Sequence, residues 1–220
     1  MSERLPIPDL ALIGTTAPSG SEILVLAPGT VLVRLHRTAG QFPTAWNEWR
    51  HFGPLNSRFD HHLLPKRMQA RGIAYFAFGS EAFTTAIAEA FQAESGAGVS
   101  PVNGVTGNPT ITKAVLKRTV NVLDLNSSWV TRAKGNQSIR TGPRKDSREW
   151  TRAIYDAHIT SIEGLAYSSS VYGPGRCVAL FEMASDVLRT SPELTRQLND
   201  AVMETAVRNA LHMLNTYMLP

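Results

Sequence analysis

Residues 58–92 read RFDHHLLPKRMQARGIAYFAFGSEAFTTAIAEAFQ, and three features of this stretch organise the chain. An arginine stands beside an aromatic at Arg58-Phe59. A short apolar run follows at Ile73-Ala74-Tyr75-Phe76-Ala77, rich in the residue types that favour a strand. After a Gly79-Ser80 turn the spacing predicts a helix over 80–93, where one carboxylate, Glu89, sits among Ala86, Ile87, Ala88, Ala90 and Phe91. An unpaired carboxylate is costly to bury, so an acid in such company invites a reason. Two stripes run along the helix, Glu81, Thr85 and Glu89 at four-residue spacing and Phe83, Ile87 and Phe91 beside them. Glu89 either belongs to a wet face or lies under a cleft with Arg58 and Tyr75 nearby. The residues alone leave both open.

Working outward, residues 1–22 carry Pro6, Pro8, Gly14, Pro18 and Gly20 and predict a loosely structured arm. Gly14 and Gly20 have neither the spacing nor the following lysine of a phosphate loop. Glu22 to Leu26 and Thr30 to Arg37 are strand material around a Pro28-Gly29 turn. Alternation over the second run puts Val31, Val33, Leu35 and Arg37 on one side, and Leu32, Arg34 and His36 on the other. Gly40 to Pro54 is aromatic and turn-rich, more a packed loop than an element.

Downstream, Glu94 to Asn108 reads as a surface loop, and Ile111 to Leu125 as two strand-like runs ending near Asp124. The polar, glycine-bearing segment Lys134 to Pro143 suits a loop over a site. Asp146 to Ile159 predicts a helix capped by Asp146 or Ser147, with Trp150, Ile154 and Ala157 on its apolar face. Gly164 to Ser170 and Arg176 to Glu182 are strands, and Pro192 to Leu214 reads as helical. The organisation is an arm over 1–22 and a single α+β domain over 23–220.

Composition limits the function classes. The chain has 220 residues, of which 43% are hydrophobic and 18% charged, as in a globular protein rather than a disordered one. No apolar run approaches the roughly 20 residues of a membrane span, and no signal peptide opens the chain, so a cytoplasmic protein is expected. The single cysteine, Cys177, excludes an internal disulfide and reads as an inert core thiol. A net charge of +4 suits either a nucleic-acid surface or a concave site for a small polyanion such as a nucleotide. The densest basic group is Arg140, Arg144, Lys145 and Arg148, and such an excess is usually a solvated surface. There is no recognition helix, finger or stacking motif, no Rossmann glycine pattern, no His-Glu-x-x-His and no Gly-x-Ser-x-Gly. The adjacent His61 and His62 lack a third ligand and read as a solvated loop pair.

Five motifs in order resemble those of the RES domain family. They are Val33-Arg34-Leu35-His36, Ser57-Arg58-Phe59-Asp60, Ala74-Tyr75-Phe76-Ala77, Thr85-Ala86-Ile87-Ala88-Glu89, and Gly164-Leu165-Ala166-Tyr167-Ser168-Ser169. The resemblance spans roughly residues 30–182, with a helical C-terminal extension beyond. It implies an α+β fold like that of the ADP-ribosyltransferases, a split β-sheet core with helices around it. It implies NAD+ as substrate, consumed by hydrolysis or phosphorolysis, or used to modify a protein with ADP-ribose. It also implies the toxin of a toxin–antitoxin pair, with an Xre-type helix-turn-helix partner; a homodimer is compatible with it. The chain departs from the pattern in its longer tyrosine-to-glutamate interval and in Ser168.

The chemistry is consistent with such a role. Breaking the nicotinamide–ribose bond passes through an oxocarbenium-like sugar. A fixed carboxylate, Glu89, would stabilise that charge. Arg34 and Arg58 offer the planar, permanently charged donors that suit a diphosphate. Tyr75 would present an aromatic face to the nicotinamide, and Ser169 would bind ribose or orient Glu89. No metal is required. The competing reading is a HEPN-like ribonuclease using Arg152 and His158, but residues six apart lie about 120° from alignment on a helix.

Overall fold

The computed structural model describes residues 4–93 and 98–219. Among these residues nine strands form one mixed sheet: β1 (Ile23–Leu26), β2 (Val31–Arg37), β3 (Arg50–Gly53), β4 (Arg67–Phe78), β5 (Pro109–Val115), β6 (Val120–Asp124), β7 (Gly164–Ser168), β8 (Arg176–Phe181) and β9 (Leu194–Gln197). Their order is β1-β6-β7-β8-β4-β2-β5-β9, with β3 paired to β4. β6 and β7 run parallel and the other pairs antiparallel.

β4 is the hub, and its alternation defines the two faces of the sheet. Ile73, Tyr75 and Ala77 point to the face that carries α2 (Ala82–Ala90), α5 (Arg144–His158) and α6 (Glu204–Met213). Ala74, Phe76 and Phe78 point to the other, covered by Trp46, Trp49 and the 184–188 segment. The class is α+β, as the sequence suggests. β2 pairs with β4 only at Leu32–Phe78 and Val33–Ala77, then follows β5 as far as Arg37–Pro109. The sheet therefore opens beyond Val33 and Ala77, with Arg34 and Leu35 on one lip and Tyr75 and Phe76 on the other. No described helix is long and apolar enough to cross a membrane.

Several expectations give way, among them the Gly40 to Pro54 loop, whose Arg50–Gly53 forms β3. Residues 4–22 are packed, not loose: α1 (Leu10–Thr15) is capped by the Asp9 side chain, and Leu5 and Ile13 are buried in the main core. The indole N–H groups of Trp150 and Trp129 donate to the carbonyls of Pro6 and Thr16, both at 2.7 Å. Buried indoles need acceptors, and this segment supplies them; its prolines and glycines mark turns rather than an absence of packing.

The run from Pro192 is not one helix. Leu194–Gln197 forms β9 on the edge of β5, and the α-helix starts only at Glu204, because pairing an open sheet edge overrides local periodicity. α5 begins at Arg144 behind Pro143, so Asp146 and Ser147 lie inside its first turn, and Ala153 and His158, rather than the exposed Ala157, complete its buried face. The apolar run at 73–77 belongs to a strand of 12 residues. The expected surface loop continues through Gly98–Asn108, while 94–97 lie outside the described residues.

His61 and His62 are fully buried rather than solvated. His62 Nδ1 lies 2.7 Å from Asp60 Oδ1, and the His61 ring packs between Tyr155 and Phe181 with Glu182 at 3.5 Å. Among the described residues no group of three or more His, Cys, Asp or Glu is arranged to hold a metal ion.

Burial pushes the imidazoles of His36, His61 and His158 below their ordinary value of 6.5. The unfolded chain therefore binds protons at a pH where the native state does not. The stability involved is fully present above 6.5 and is lost as pH falls below it. The carboxylates held low, such as Glu182 at about 2, lose their contribution only further down, below 4.5. Stability is expected to fall between pH 7 and 5, by up to about 1.4 kcal/mol per pH unit for each histidine that titrates, and is read as a lower melting temperature. The raised Glu89 carboxyl acts in the opposite sense, so the cleaner test is the Glu89→Gln chain, where a flat profile across that window would contradict the burial of the three rings.

Candidate active site

The opening in the sheet leads to a cavity of about 370 Å³ on the helix-bearing face, within the range of small-ligand sites. Tyr75, Tyr167 and Cys177, neighbours across β4, β8 and β7, form its floor. Burial pushes the Cys177 thiol and the Tyr167 hydroxyl well up, so neither ionises readily. Cys177 is the inert thiol expected.

Glu89 enters from the last turn of α2. The Ser169 hydroxyl donates to Glu89 Oε1 at 2.5 Å, and its oxygen accepts from the N–H groups of Val171 and Tyr172 at 3.1 and 3.0 Å. That pattern fixes the hydroxyl proton on the carboxylate. Ser169 thus stands behind Glu89, while Ser170 reaches the cavity wall. The Ser169–Gly175 turn is clamped to α2 at both ends. The Tyr172 hydroxyl donates to Glu81, and Gly175 lies so close to Thr85 that an added Cβ would stand 2.5 Å from Thr85 Oγ1. Gly175→Ala is accordingly expected to destabilise by about 1–3 kcal/mol, read as a lower midpoint in denaturant.

Arg58 is held by its neighbours in sequence. Phe59 is buried against Tyr167 with ring centroids 4.5 Å apart, and Asp60 ties the loop through Arg50 and the backbone of Leu55. The Arg58 guanidinium donates to Gly142 O at 2.5 Å and to Ser147 Oγ at 3.3 Å. Arg144, at the start of α5, donates to Asn56 O at 3.1 Å and to Gln92 Oε1 at 2.8 Å. Burial raises the Glu89 carboxyl above its ordinary value of 4.5, opposed by the Ser169 hydrogen bond and by the charges of Arg58 and Arg144. Arg58 is itself lowered by burial and then by Arg144. Two partly desolvated guanidiniums face one carboxyl, an arrangement that favours an incoming anion.

Arg58, Tyr75 and Glu89 thus line one cavity, with Ser169 in hydrogen-bond contact behind. The Tyr75 ring lines it, while the hydroxyl is buried near Ser57 and the Phe59 backbone without hydrogen-bonding geometry to either. Arg34 stands at the lip on the opposite face of β2. Its Nη1 donates to Glu48 O at 2.6 Å and Trp46 O at 3.2 Å, and its guanidinium lies 5.6 Å from the Phe76 ring. Its charge is not among those acting on Glu89. Two lining residues, Arg140 and Arg144, come from the basic group whose usual reading is a solvated surface. The signal was their density next to a glycine-bearing loop. That loop follows α3 (Trp129–Arg132) and forms a turn of helix, α4 (Ser138–Thr141), which brings Arg140 to the wall.

The ribonuclease pair does not assemble. His158 is buried, with Nε2 2.9 Å from Ile13 O and its ring edge-on to Trp129, so it cannot exchange protons with a bound RNA. Arg152 instead lines a different, basic cleft with Lys66 and Arg148.

The mixed α+β sheet thus parts between β2 and β4, and arginines gather around one partly buried carboxyl. The chain belongs to the RES domain family, whose family model matches residues 31–203. That family is associated with NAD+-related toxin activity. The match extends past the last of the sequence motifs, through β9. No curated protein sequence matches the chain.

Proposed function

We propose that the protein consumes NAD+ by breaking the bond between the nicotinamide nitrogen and ribose C1′. The observation that carries this reading is the partly buried Glu89 carboxyl, hydrogen-bonded by Ser169 and flanked by Arg58 and Arg144. Arg58 and Arg144 take the diphosphate. Tyr75 places its ring against the nicotinamide, and Arg34 holds the Trp46–Glu48 turn and shapes the lip. As the bond breaks, its electron pair leaves with nicotinamide and positive charge grows on the sugar, where ionised Glu89 stabilises it. Water or phosphate then supplies the oxygen that bonds to C1′ and releases its proton. No residue needs to become covalently attached, which fits a Ser169 whose proton is committed to Glu89.

The test is to incubate the pure chain with NAD+ and quantify nicotinamide and its co-product with and without phosphate. ADP-ribose alone means hydrolysis, and a phosphorylated ADP-ribose means phosphorolysis. Label on a protein means transfer to a side chain, the second reading. Intact NAD+ throughout contradicts the proposal. Action as a toxin, with an Xre-type protein as its antidote, belongs to the same proposal and is read from growth on expression with and without that partner.

Because Glu89 acts ionised and its carboxyl is raised, the acid limb of kcat/KM is expected above the ordinary 4.5. Ser169→Ala removes a hydrogen bond that favours the carboxylate, so the limb should move to still higher pH. A limb that stays in place while kcat falls would make Ser169 merely structural.

A further inference from the structure

Arg140 lines the cavity, yet its guanidinium donates to no described residue, and its Nε is buried without an acceptor. The acidic group whose charge acts on it, Asp124, is already engaged. Its Oδ2 accepts from Arg176 at 3.0 Å, and its Oδ1 from the backbone N–H and side-chain amide of Asn126 at 2.9 and 2.6 Å. Arg176 also has a buried Nε without an acceptor. Two guanidiniums thus share one carboxylate, and buried N–H donors remain unmet, which is costly inside a protein. Elsewhere in the fold the arginines near the cavity have found acceptors: Arg34, Arg58 and Arg144 each hold a backbone carbonyl.

Charge leads to the same place. Among the described residues, Arg34, Arg58, Arg140 and Arg144 line the cavity against one carboxyl, that of Glu89. A dinucleotide diphosphate carries two negative charges and matches Arg58 and Arg144, the pair that acts on Glu89. Arg140 is left over, with no hydrogen-bond acceptor among the described residues. A planar fork with unmet donors suits a tetrahedral oxyanion that can accept two hydrogen bonds at once.

We propose that Arg140, backed by Arg176, forms a second anion subsite in the cavity that takes a phosphate dianion beyond the diphosphate. The proposal rests on the reading of the cavity as a dinucleotide site. The dianion has two sources: free inorganic phosphate acting as the acceptor, or the 2′-phosphate of a phosphorylated dinucleotide.

The test is calorimetric titration of the full chain with inorganic phosphate, ADP-ribose and 2′-phospho-ADP-ribose, for wild type, Arg140→Gln and Arg58→Gln. Arg140→Gln is expected to weaken phosphate, or the gain from the 2′-phosphate, by about tenfold, the equivalent of one charge-assisted contact. It should leave ADP-ribose within about twofold. Arg58→Gln should chiefly weaken ADP-ribose. Phosphate binding alongside ADP-ribose identifies the acceptor. A roughly tenfold preference for 2′-phospho-ADP-ribose that vanishes in Arg140→Gln identifies the dinucleotide phosphate. If wild type binds neither form of the dianion, or Arg140→Gln changes neither, the subsite is overturned while the dinucleotide reading stands on its ADP-ribose titration. If phosphate depends on Arg140 but ADP-ribose does not bind, the subsite stands and the dinucleotide reading falls. Should Arg140→Gln melt well below wild type, Arg140→Lys replaces it: a charge without the fork should give an intermediate loss, and unchanged affinity would overturn the subsite.

Discussion

Glu89→Gln is expected to lower kcat for NAD+ cleavage by roughly 10²–10³-fold, the usual loss when one preorganised electrostatic partner of a transition state is removed. Glutamine keeps the size and the Ser169 contact but cannot carry the charge that faces the developing sugar cation. Stability should not suffer, because burial already disfavours the ionised form of Glu89. A neutral side chain escapes that penalty. Nicotinamide release by chromatography gives the rate, and thermal melting gives the control. Full activity in a folded Glu89→Gln chain would remove Glu89 from the mechanism. Loss of activity with a collapsed melting temperature would show that the residue serves packing instead.

Ile13→Ala should produce the largest loss of stability among single truncations in the N-terminal segment. Ile13 is fully buried on α1, in the cluster that holds Trp129, Trp150 and Ile154, and its carbonyl meets His158. Truncating a buried isoleucine costs about 2–5 kcal/mol, which for a chain of this size lowers the melting temperature by roughly 4–20 °C. A change within a degree or so would mean that residues 4–22 sit on the domain loosely, as their proline and glycine content suggests.

The elements near the site were legible because their chemistry is local. The strand at Ile73–Ala77, the helix carrying Glu89 and the alternation of β2 follow from periodicity and turn residues alone. The pairing of Ser169 with Glu89 joins residues 80 positions apart, and only the motif order pointed to it. What escaped depends on long-range partners. Nothing local says that the carbonyls of Pro6, Ile13 and Thr16 would meet two indoles and an imidazole. Nor does anything say that Leu194–Gln197 would leave a helical pattern to pair with β5. His61 and His62 look polar in sequence, yet Asp60 and Glu182, one local and one 121 positions on from His61 (182 − 61), give them company inside. Arg140 and Arg144 were visible only as charge density. Their role in the cavity depends on a turn of helix at Ser138–Thr141 that a polar, glycine-bearing segment does not advertise.

The most direct measurement is a crystal structure of the Glu89→Gln chain soaked with NAD+. The diphosphate is predicted between the guanidiniums of Arg58 and Arg144, with the nicotinamide ribose facing residue 89 and the pyridine ring against Tyr75. A dinucleotide seated instead in the basic cleft of Lys66, Arg148 and Arg152, or a ribose turned away from residue 89, would contradict it.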